Sequence, residues 1–231
     1  HEGDYDKSHE ILDSLVQNKE QLFKKELSWA YNVLADNYKH KAESFKAIDL
    51  LKKALEIDFL INDQEGAIED CDSISAIYHD ISYFSDSLNY INKSLELNKK
   101  IQYINFYPYY IKGAVLSKIG LYDEAIENEE YAIKLINKEN LGNDDIKAKL
   151  SMPNYQIALI NLHKGLYDEA LKFFFDYRNY CTKRKDKRML DATSYRISEI
   201  YLCKGEYKNA FKYMQKADFI IYKEFLFEKK I

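Results

Sequence analysis

The chain has 231 residues, a formal net charge of -4, and a composition of 46% hydrophobic and 31% charged residues. This balance is typical of a globular protein. Because Lys and Arg are scattered among Asp and Glu, it argues against nucleic acid as a partner of this segment. Only 2 Pro and 7 Gly occur, which are too few for an all-β chain with many tight turns.

The apolar pattern and the helix start signals predict a chain built from helices. In chain order, the predicted helices cover residues 4–19, 22–40, 44–61, 64–81, 85–101, 107–119, 122–139, 144–164, 167–183, 187–204 and 207–229. Ser44 and Ser85 are expected to be N-caps. Pro108 falls in the first turn of a helix, where Pro is tolerated. Pro153 lies inside a helical pattern and predicts a kink or break near residues 150–152.

A six-residue phrase recurs along the chain. Residues 120–125 read GLYDEA, residues 165–170 repeat them letter for letter, and residues 205–210 and 3–8 are looser copies. Self-similarity at a fixed period is the mark of a repeat array, in which each unit buries its apolar face against its neighbours. The Gly is expected to end a helix in the left-handed conformation, and the small residue lets the next helix approach closely.

Small residues recur at three matched positions in each repeat. The first set ends the phrase and consists of Ser8, Ala47, Ser87, Ala125, Ala170 and Ala210, at intervals of 38 to 45 residues. The second set lies twelve residues earlier and consists of Ala35, Ser75, Gly113, Ala158 and Ser198. The third set lies seven residues later and consists of Ala54, Ser94, Ala132 and Ala217, with Tyr177 breaking the pattern. An ordinary helical bundle would produce this phasing only by coincidence.

These residues resemble the tetratricopeptide repeat. The most similar copy has Tyr31, Leu34-Ala35 and Tyr38 in its first helix and Ala47, Leu51 and Ala54 in its second. The resemblance covers essentially the whole chain and implies an all-α fold, a right-handed α-α superhelix of about five helical hairpins plus a leading helix. The units run near 40 residues, and residues 61–66 look like a turn of long-helix variants common in bacterial peptide sensors and signalling proteins.

The resemblance implies a single array without separate domains. A partial repeat at residues 1–20 is followed by repeats at 21–61, 62–101, 102–140, 141–184 and 185–231. The array begins in mid-repeat and ends in apolar residues, so we expect a piece of a longer protein. A strip of Phe219, Tyr222, Phe225 and Leu226 is expected to pack on a following helix or on a second copy of the chain, forming a homodimer.

In the tetratricopeptide family, the first helices of successive hairpins line a concave groove. Matching phase assigns to this groove Trp29, Asn32, Asp36, Lys39, Glu69, Asp72, His79, Tyr107, Tyr110, Lys118, Tyr155, His163, Tyr195 and Glu199. Acidic residues gather in the first two hairpins and Tyr in the next three. This separation favours an extended peptide with a basic portion and an apolar portion. For each residue taken singly, a merely solvated side chain is the alternative.

Neither catalytic nor cofactor-binding motifs are visible, so no enzyme activity and no cofactor are expected. His40 and His163 share a phase at the ends of first helices, but successive first helices are about 8–10 Å apart, too far for a metal site without long side-chain reach. The positions of the family's carboxylate clamp carry Asn32, Asp36, Ser73, Tyr107 and Ile111. An acidic residue replaces a donor there, which disfavours a co-chaperone.

The sequence therefore predicts a non-catalytic module that binds a protein or an extended peptide. The resemblance favours the sensor or interaction segment of a bacterial signalling or transcription-regulatory protein. The alternative is an assembly scaffold that contacts a folded partner through its convex face or its ends. No apolar stretch approaches the roughly 20 residues of a membrane span, and no signal peptide is visible. The compartment stays open between the cytoplasm and the periplasmic part of a membrane-anchored regulator.

Overall fold

The computed structural model describes residues 24–139 and 142–217 and places ten helices in them. These are α1 (Lys24–His40), α2 (Ser44–Leu60), α3 (Gln64–Asp80), α4 (Phe84–Ile101), α5 (Tyr107–Lys118), α6 (Tyr122–Ile136), α7 (Asn143–His163), α8 (Tyr167–Arg184), α9 (Lys187–Cys203) and α10 (Tyr207–Met214). No strand occurs in the described ranges, and the all-α prediction is confirmed. The predicted helix at 4–19 and the apolar strip of Phe219, Tyr222, Phe225 and Leu226 lie outside them.

The helices form two compact units, one ending at Ile119 and the other beginning at Gly120. In the first unit, α1 pairs with α2 and α3 pairs with α4; α2 packs on α3, and α5 packs on both α3 and α4. In the second unit, α6 packs on α7, α7 on α8, α8 on α9 and α9 on α10. Each unit is therefore a row of helices in which sequence neighbours are also neighbours in space.

The turns inside the hairpins place one residue in the left-handed region, at the phase of the Gly in the recurring phrase. Gly165 has φ 75° and Gly205 has φ 73°, and where the phrase lacks Gly, Ala42 has φ 59° and Ser82 has φ 64°. The next amide then donates back into the helix that has just ended; for example, the Leu166 amide donates to the Asn161 carbonyl at 2.9 Å. This is the Schellman ending, and it satisfies carbonyls that the helix end leaves open.

The small residues of the three sets lie at helix contacts, as predicted, except for Ala217, which is half-buried in the turn after α10, and Ser8, which lies outside the described residues. They are at most 1% exposed at Ala35, Ala47, Ala54, Ser75, Ser87, Ser94, Ala125, Ala132, Ala158, Ala170, Ser198 and Ala210. At the α3–α4 contact the backbones come close enough for the Ser75 hydroxyl to donate to the Ser87 carbonyl at 2.9 Å, while the Ser87 hydroxyl donates to the Ser75 carbonyl at 2.8 Å. Larger side chains would hold these helices apart.

Each unit has its own apolar core beside these contacts. In the first unit, the centre is formed from α2 and α3 by Ile48, Leu51, Leu55, Ile74 and Ile77, and the free thiol of Cys71 is fully buried among them. In the second unit, the core joins α7, α8 and α9 through Ala158, Ala170, Leu171, Phe174, Ile197 and Ile200. Burial of this kind contributes roughly 1.5–3 kcal/mol for each large aliphatic or aromatic side chain.

Three local predictions were wrong. Ser44 and Ser85 are not N-caps, because α2 and α4 begin after Glu43 and Tyr83, whose side chains make no capping bond. The capping side chains are aspartates elsewhere, such as Asp63, which accepts from the Gly66 amide at 3.0 Å. The break expected before Pro153 is absent, since α7 continues through it. The helix predicted at 207–229 ends at Met214 and is followed by a turn.

The left-handed turn positions make a matched test of backbone strain. A Cβ added at Gly165 would meet no atom within 4 Å, so the cost of Gly165→Ala is conformational only. We expect it to lower the free energy of unfolding by about 1 kcal/mol. Ala42→Gly relieves the same strain but raises the conformational entropy of the unfolded chain, which partly offsets the effect. We therefore expect it to raise the free energy of unfolding by about 0.5 kcal/mol. Urea denaturation of both variants measures these values, and equal stability of all three proteins would contradict the assignment.

The helix contacts predict a larger effect for an added side chain. Ala170 is fully buried against the α7–α9 core, so Ala170→Leu should overpack the joint and lower the free energy of unfolding by roughly 1–3 kcal/mol. Lys172 is exposed on the same helix, and Lys172→Leu should change it by no more than about 0.5 kcal/mol. Thermal melting that leaves the Ala170→Leu protein indistinguishable from the parent would count against this register.

Candidate functional site

A cleft of about 290 Å³ opens between α1, α3 and the start of α5 in the first unit. Its lining consists of Trp29, Asn32, Ala35, Asp36, Lys39, Leu51, Glu69, Ser73, Ala76, Ile77 and Tyr107. The helical period explains this convergence, because the α1 residues lie three or four positions apart and so share one face of the helix. Six of the predicted groove residues thus border a single cavity: Trp29, Asn32, Asp36, Lys39, Glu69 and Tyr107.

The cleft has an apolar floor and a polar, acidic rim. Ala35, Leu51 and Ile77 are buried at its base, whereas the Trp29 ring is 62% exposed at the rim. Two carboxylates, Asp36 and Glu69, and one ammonium, Lys39, also line the cleft. Partial burial, together with the nearby carboxylates of the α2–α3 turn, raises the pKa of Glu69. Asp36 meets His40 across 3.5 Å at the outer edge. A cationic group entering the cleft would meet net negative charge and aromatic faces.

Tyr107 is held in place by a short chain of hydrogen bonds from behind. Its amide donates to the Asn105 side-chain oxygen at 3.0 Å, and the Asn105 amide group lies 3.4 Å from Asp72 Oδ2. Asp72 Oδ1 accepts from the Ser94 hydroxyl at 2.5 Å. Burial raises the pKa of Asp72 to about 7, although the Ser94 bond opposes this rise. The start of α5 is therefore anchored to α3 and α4.

The other predicted groove residues of the first unit do not border the cleft. Asp72 is only 4% exposed and faces α4, so the structure corrects its placement from the groove to the support of Tyr107. His79 packs beside Phe84, with ring centroids 6.3 Å apart. Tyr110 packs against the apolar cluster of α3, α4 and α5 and lies 5.9 Å from the Tyr107 ring. Lys118 is exposed at the end of α5. The position of a residue within the repeat could not by itself show which of these side chains border the cleft.

Behind the cleft lies a pair of buried carboxyl groups that the sequence did not reveal as a site. Asp58 on α2 is 3% exposed, and Asp70 on α3 is 1% exposed. A Cβ added at Gly66 would lie 2.4 Å from Asp58 Oδ2, so this glycine admits the Asp58 carboxyl beneath the turn. Burial and the neighbouring Asp58 charge raise the pKa of Asp70 to about 8. Burial therefore favours one proton shared between the Asp58 and Asp70 carboxyl groups.

In the second unit, three predicted groove residues meet around a residue that sequence reasoning missed. The Arg196 guanidinium donates to the Glu199 carboxylate at 3.0 Å and lies 5.8 Å from the centroid of the Tyr195 ring. It also hydrogen-bonds to the Tyr155 hydroxyl. Burial raises the pKa of Tyr155, whose ring also contacts the core. His163 lies apart from this group and stacks on Tyr122, with centroids 6.1 Å apart. The three-residue spacing of Arg196 and Glu199 was the available signal.

A second cleft, of about 230 Å³, separates α7 from α8. It is lined by Lys147, Leu150, Ser151, Asn154, Asp176, Tyr177, Asn179, Tyr180 and Lys183. Tyr177 stands here in place of the small residue of the other repeats, and its ring lies 4.8 Å from that of Tyr155. The cleft contains none of the predicted groove residues. Among the described residues, no three His, Cys, Asp or Glu side chains come together as a metal site, and no helix is long and apolar enough to cross a membrane.

No protein-family model matches this sequence, and no curated protein is significantly similar to it. Solved structures do resemble it. BtubC (BKLC) from P. vanneervenii gives a TM-score of 0.72 at 13% identity, covering 93% of this chain and 87% of that one. A Rap protein complexed with competence and sporulation factor also gives 0.72, at 16% identity, covering 88% of this chain and 56% of the other.

A third similar structure is the STAND signal-transduction ATPase with a tetratricopeptide repeat sensor from Pyrococcus horikoshii. It gives a TM-score of 0.67 at 18% identity, covering 90% of this chain and 30% of the ATPase. At these identities the likeness concerns the fold. The chain has a tetratricopeptide-type repeat fold, and the predicted resemblance is confirmed.

The two carboxylates that phase had assigned to one groove should behave differently when removed. Asp72→Ala leaves the Ser94 hydroxyl and the Asn105 amide group without their acceptor, so the free energy of unfolding should fall by about 1–3 kcal/mol. Glu69→Ala alters an exposed side chain of the same helix and should change it by no more than about 0.5 kcal/mol. Urea denaturation of both variants makes the comparison. Equal losses would contradict the separation of a supporting carboxyl from a rim carboxyl.

Proposed function

We propose that the protein is a non-catalytic polypeptide-binding module and that the α1–α3–α5 cleft binds an extended segment. The observation that carries this proposal is the convergence of six predicted groove side chains, four from α1 and one each from α3 and α5, on one cavity. Peptide sites combine an apolar floor with a few polar groups that fix orientation, and this cleft has both. Trp29 and Tyr107 offer contact area at low entropic cost, because each side chain has few rotatable bonds.

The charge of the rim favours a ligand that places a basic side chain beside an apolar one. Asp36 and Glu69 outnumber Lys39 in the cleft, and the exposed Trp29 ring can stack on a Lys or Arg side chain. Clustered carboxylates mainly speed the approach of a basic partner, while the aromatic contacts slow its release. Binding should therefore weaken with added salt without being abolished.

The same proposal extends to the biological setting. A Rap protein complexed with competence and sporulation factor and a signal-transduction ATPase with a tetratricopeptide repeat sensor share this fold. They support a role as the sensor or interaction segment of a bacterial signalling or transcription-regulatory protein. A DNA-binding or kinase domain encoded in the same full-length protein would favour this setting over a bare array.

A second candidate function, that of an assembly scaffold, is favoured by an apolar edge in the first unit. Leu60 and Ile104 are each 67% exposed, and Phe59 is 44% exposed. Ile61, Ile101, Tyr103 and Ile104 border a shallow depression there, between the α2–α3 turn and the segment before α5. An exposed apolar edge of this kind suits a folded partner better than an extended peptide.

A peptide-library pull-down tests the cleft. The parent protein should retain peptides that pair Lys or Arg with an apolar residue, and Trp29→Ala combined with Glu69→Gln should reduce their retention at least about tenfold. Phe45→Ala is the matched control, because Phe45 is 58% exposed in the same unit but does not border the cleft. Equal retention by all three proteins would contradict the cleft assignment. Retention lost instead in a Leu60→Ser/Ile104→Ser variant would support the scaffold.

A further inference from the structure

The buried Asp58–Asp70 pair lies directly behind the wall of the cleft. Asn32 borders the cleft, and its side chain also makes a weak hydrogen bond to Asp70. Glu69, the residue before Asp70, borders the cleft as well. Neither carboxyl oxygen of Asp70 has a hydrogen-bond partner of ordinary geometry within the described residues. Asp70 is thus a buried carboxyl group whose side-chain neighbours are Asp58 and Asn32, and Asn32 belongs to the lining of the cleft.

The charged groups around the pair favour a protonated state. Asp58 is contacted from α1 by the Ser28 hydroxyl, and the carboxylates of Asp63 in the α2–α3 turn and of Glu69 on α3 add negative charge nearby. The cation on this side, Lys25 of α1, is bound to Asp63 at 2.9 Å. On the other side of α3, the Lys93 ammonium of α4 interacts electrostatically with Cys71, and the Tyr107 hydroxyl of α5 interacts electrostatically with Asp72.

We propose that the Asp58–Asp70 pair is a proton-binding site that controls the cleft, so that a cationic ligand binds with release of a proton from Asp70 to solvent. This inference rests on the proposed function, because it concerns the same cleft. It names the ligand group as a Lys or Arg side chain. The control follows from the negative charge that the pair gains behind the cleft when it loses this proton.

The Asn32 amide lies between Asp70 and the cleft and donates weakly to Asp70. This bond from the NH₂ group favours the ionised carboxyl, whereas the proton of the pair is held in the contact between Asp70 and Asp58. Loss of that proton therefore adds one negative charge behind the cleft. The added charge favours a bound cation, so by linkage a bound cation favours proton release.

The direction of the pH dependence follows from this linkage. Because the pKa of Asp70 is about 8, the pair behind the cleft carries one negative charge fewer below pH 7 than it does well above pH 8. Affinity for a cationic peptide should rise with pH through this interval. If the bound cation lowers the pKa of Asp70 by one unit, the full rise is about tenfold.

A titration without ligand tests the proton site and its link to the cleft. In protein labelled with carboxyl-¹³C aspartate, the Asp70 resonance, identified by its loss in Asp70→Asn, should titrate with a midpoint near pH 8. Trp29 is the single Trp of the chain and borders the cleft, so its fluorescence should change with the same midpoint. An Asp70 midpoint below pH 5, or Trp29 fluorescence that stays flat while Asp70 titrates, would overturn the proposal.

Three variants separate this response from other titrations. Asp70→Asn, which mimics the protonated form, should abolish the Trp29 transition near pH 8. Asp72→Asn removes the other buried carboxyl of α3, which faces α4, and should keep the transition. His40→Gln removes the imidazole beside Asp36 at the rim and should also keep it. Loss of the transition in either control would assign the response to that group and overturn the proposal.

A peptide arm distinguishes failure of this inference from failure of the proposed function. The probe is the acetylated and amidated hexapeptide Lys-Leu-Lys-Leu-Lys-Leu, titrated at pH 6.5 and pH 8.5. With a one-unit shift of the Asp70 pKa, the parent should bind it about sixfold more tightly at the higher pH, and Asp70→Asn should bind it equally at both. Equal binding by the parent at both pH values would overturn the proton linkage and leave the function standing. Absence of binding would count against the function, while the ligand-free titrations would still decide the proton site.

Discussion

At the α3–α4 contact, two serine hydroxyls donate to each other's backbone carbonyls at 2.8 and 2.9 Å, which requires the two helix backbones to lie side by side. Alanine or serine plays the same spacing role at the other hairpins, where these side chains are fully buried. Close approach at a fixed phase sets how each helix is rotated about its axis. That rotation decides which side chains enter the core and which remain at the surface, and so it also sets the position of the cleft.

The cleft is a consequence of this arrangement. With Ala35 and Leu51 turned inward, Trp29, Asp36 and Lys39 must appear on the accessible side of α1. On α3, the same rule exposes Glu69 and buries both Asp70 and Asp72. The three consecutive residues from Asp70 to Asp72 thus have different roles: Asp70 belongs to the proposed proton site, Cys71 packs in the core, and Asp72 anchors the start of α5 near Tyr107. Buried polar groups of this kind cost stability unless they serve position or function.

The sequence predicted the helix order, the left-handed turns and the close-packed small residues, because all three follow from local periodicity and backbone conformation. It also predicted the α1 side of the cleft, where residues on one helical face suffice. It could not separate Glu69 from Asp72, since both fit the expected polar phase and only packing against α4 buries one of them. The Asp58–Asp70 pair was equally invisible, because it joins two helices through a side-chain contact that Gly66 permits. The predicted capping serines failed because they lie inside the helices: Ser44 is one position and Ser85 two positions after the residue that begins the helix as its cap.

The most direct test of a binding site in the α1–α3–α5 cleft is the solvent accessibility of its tryptophan. Trp29 is the chain's single Trp and is 62% exposed at the rim, so a ligand seated in the cleft must cover it. Acrylamide quenching of Trp29 fluorescence should therefore be strong in the free protein and fall by at least about twofold when a basic, apolar peptide saturates it, as expected when an aromatic anchor becomes desolvated. Saturable peptide binding that leaves the quenching of Trp29 unchanged would place the ligand elsewhere and contradict this account.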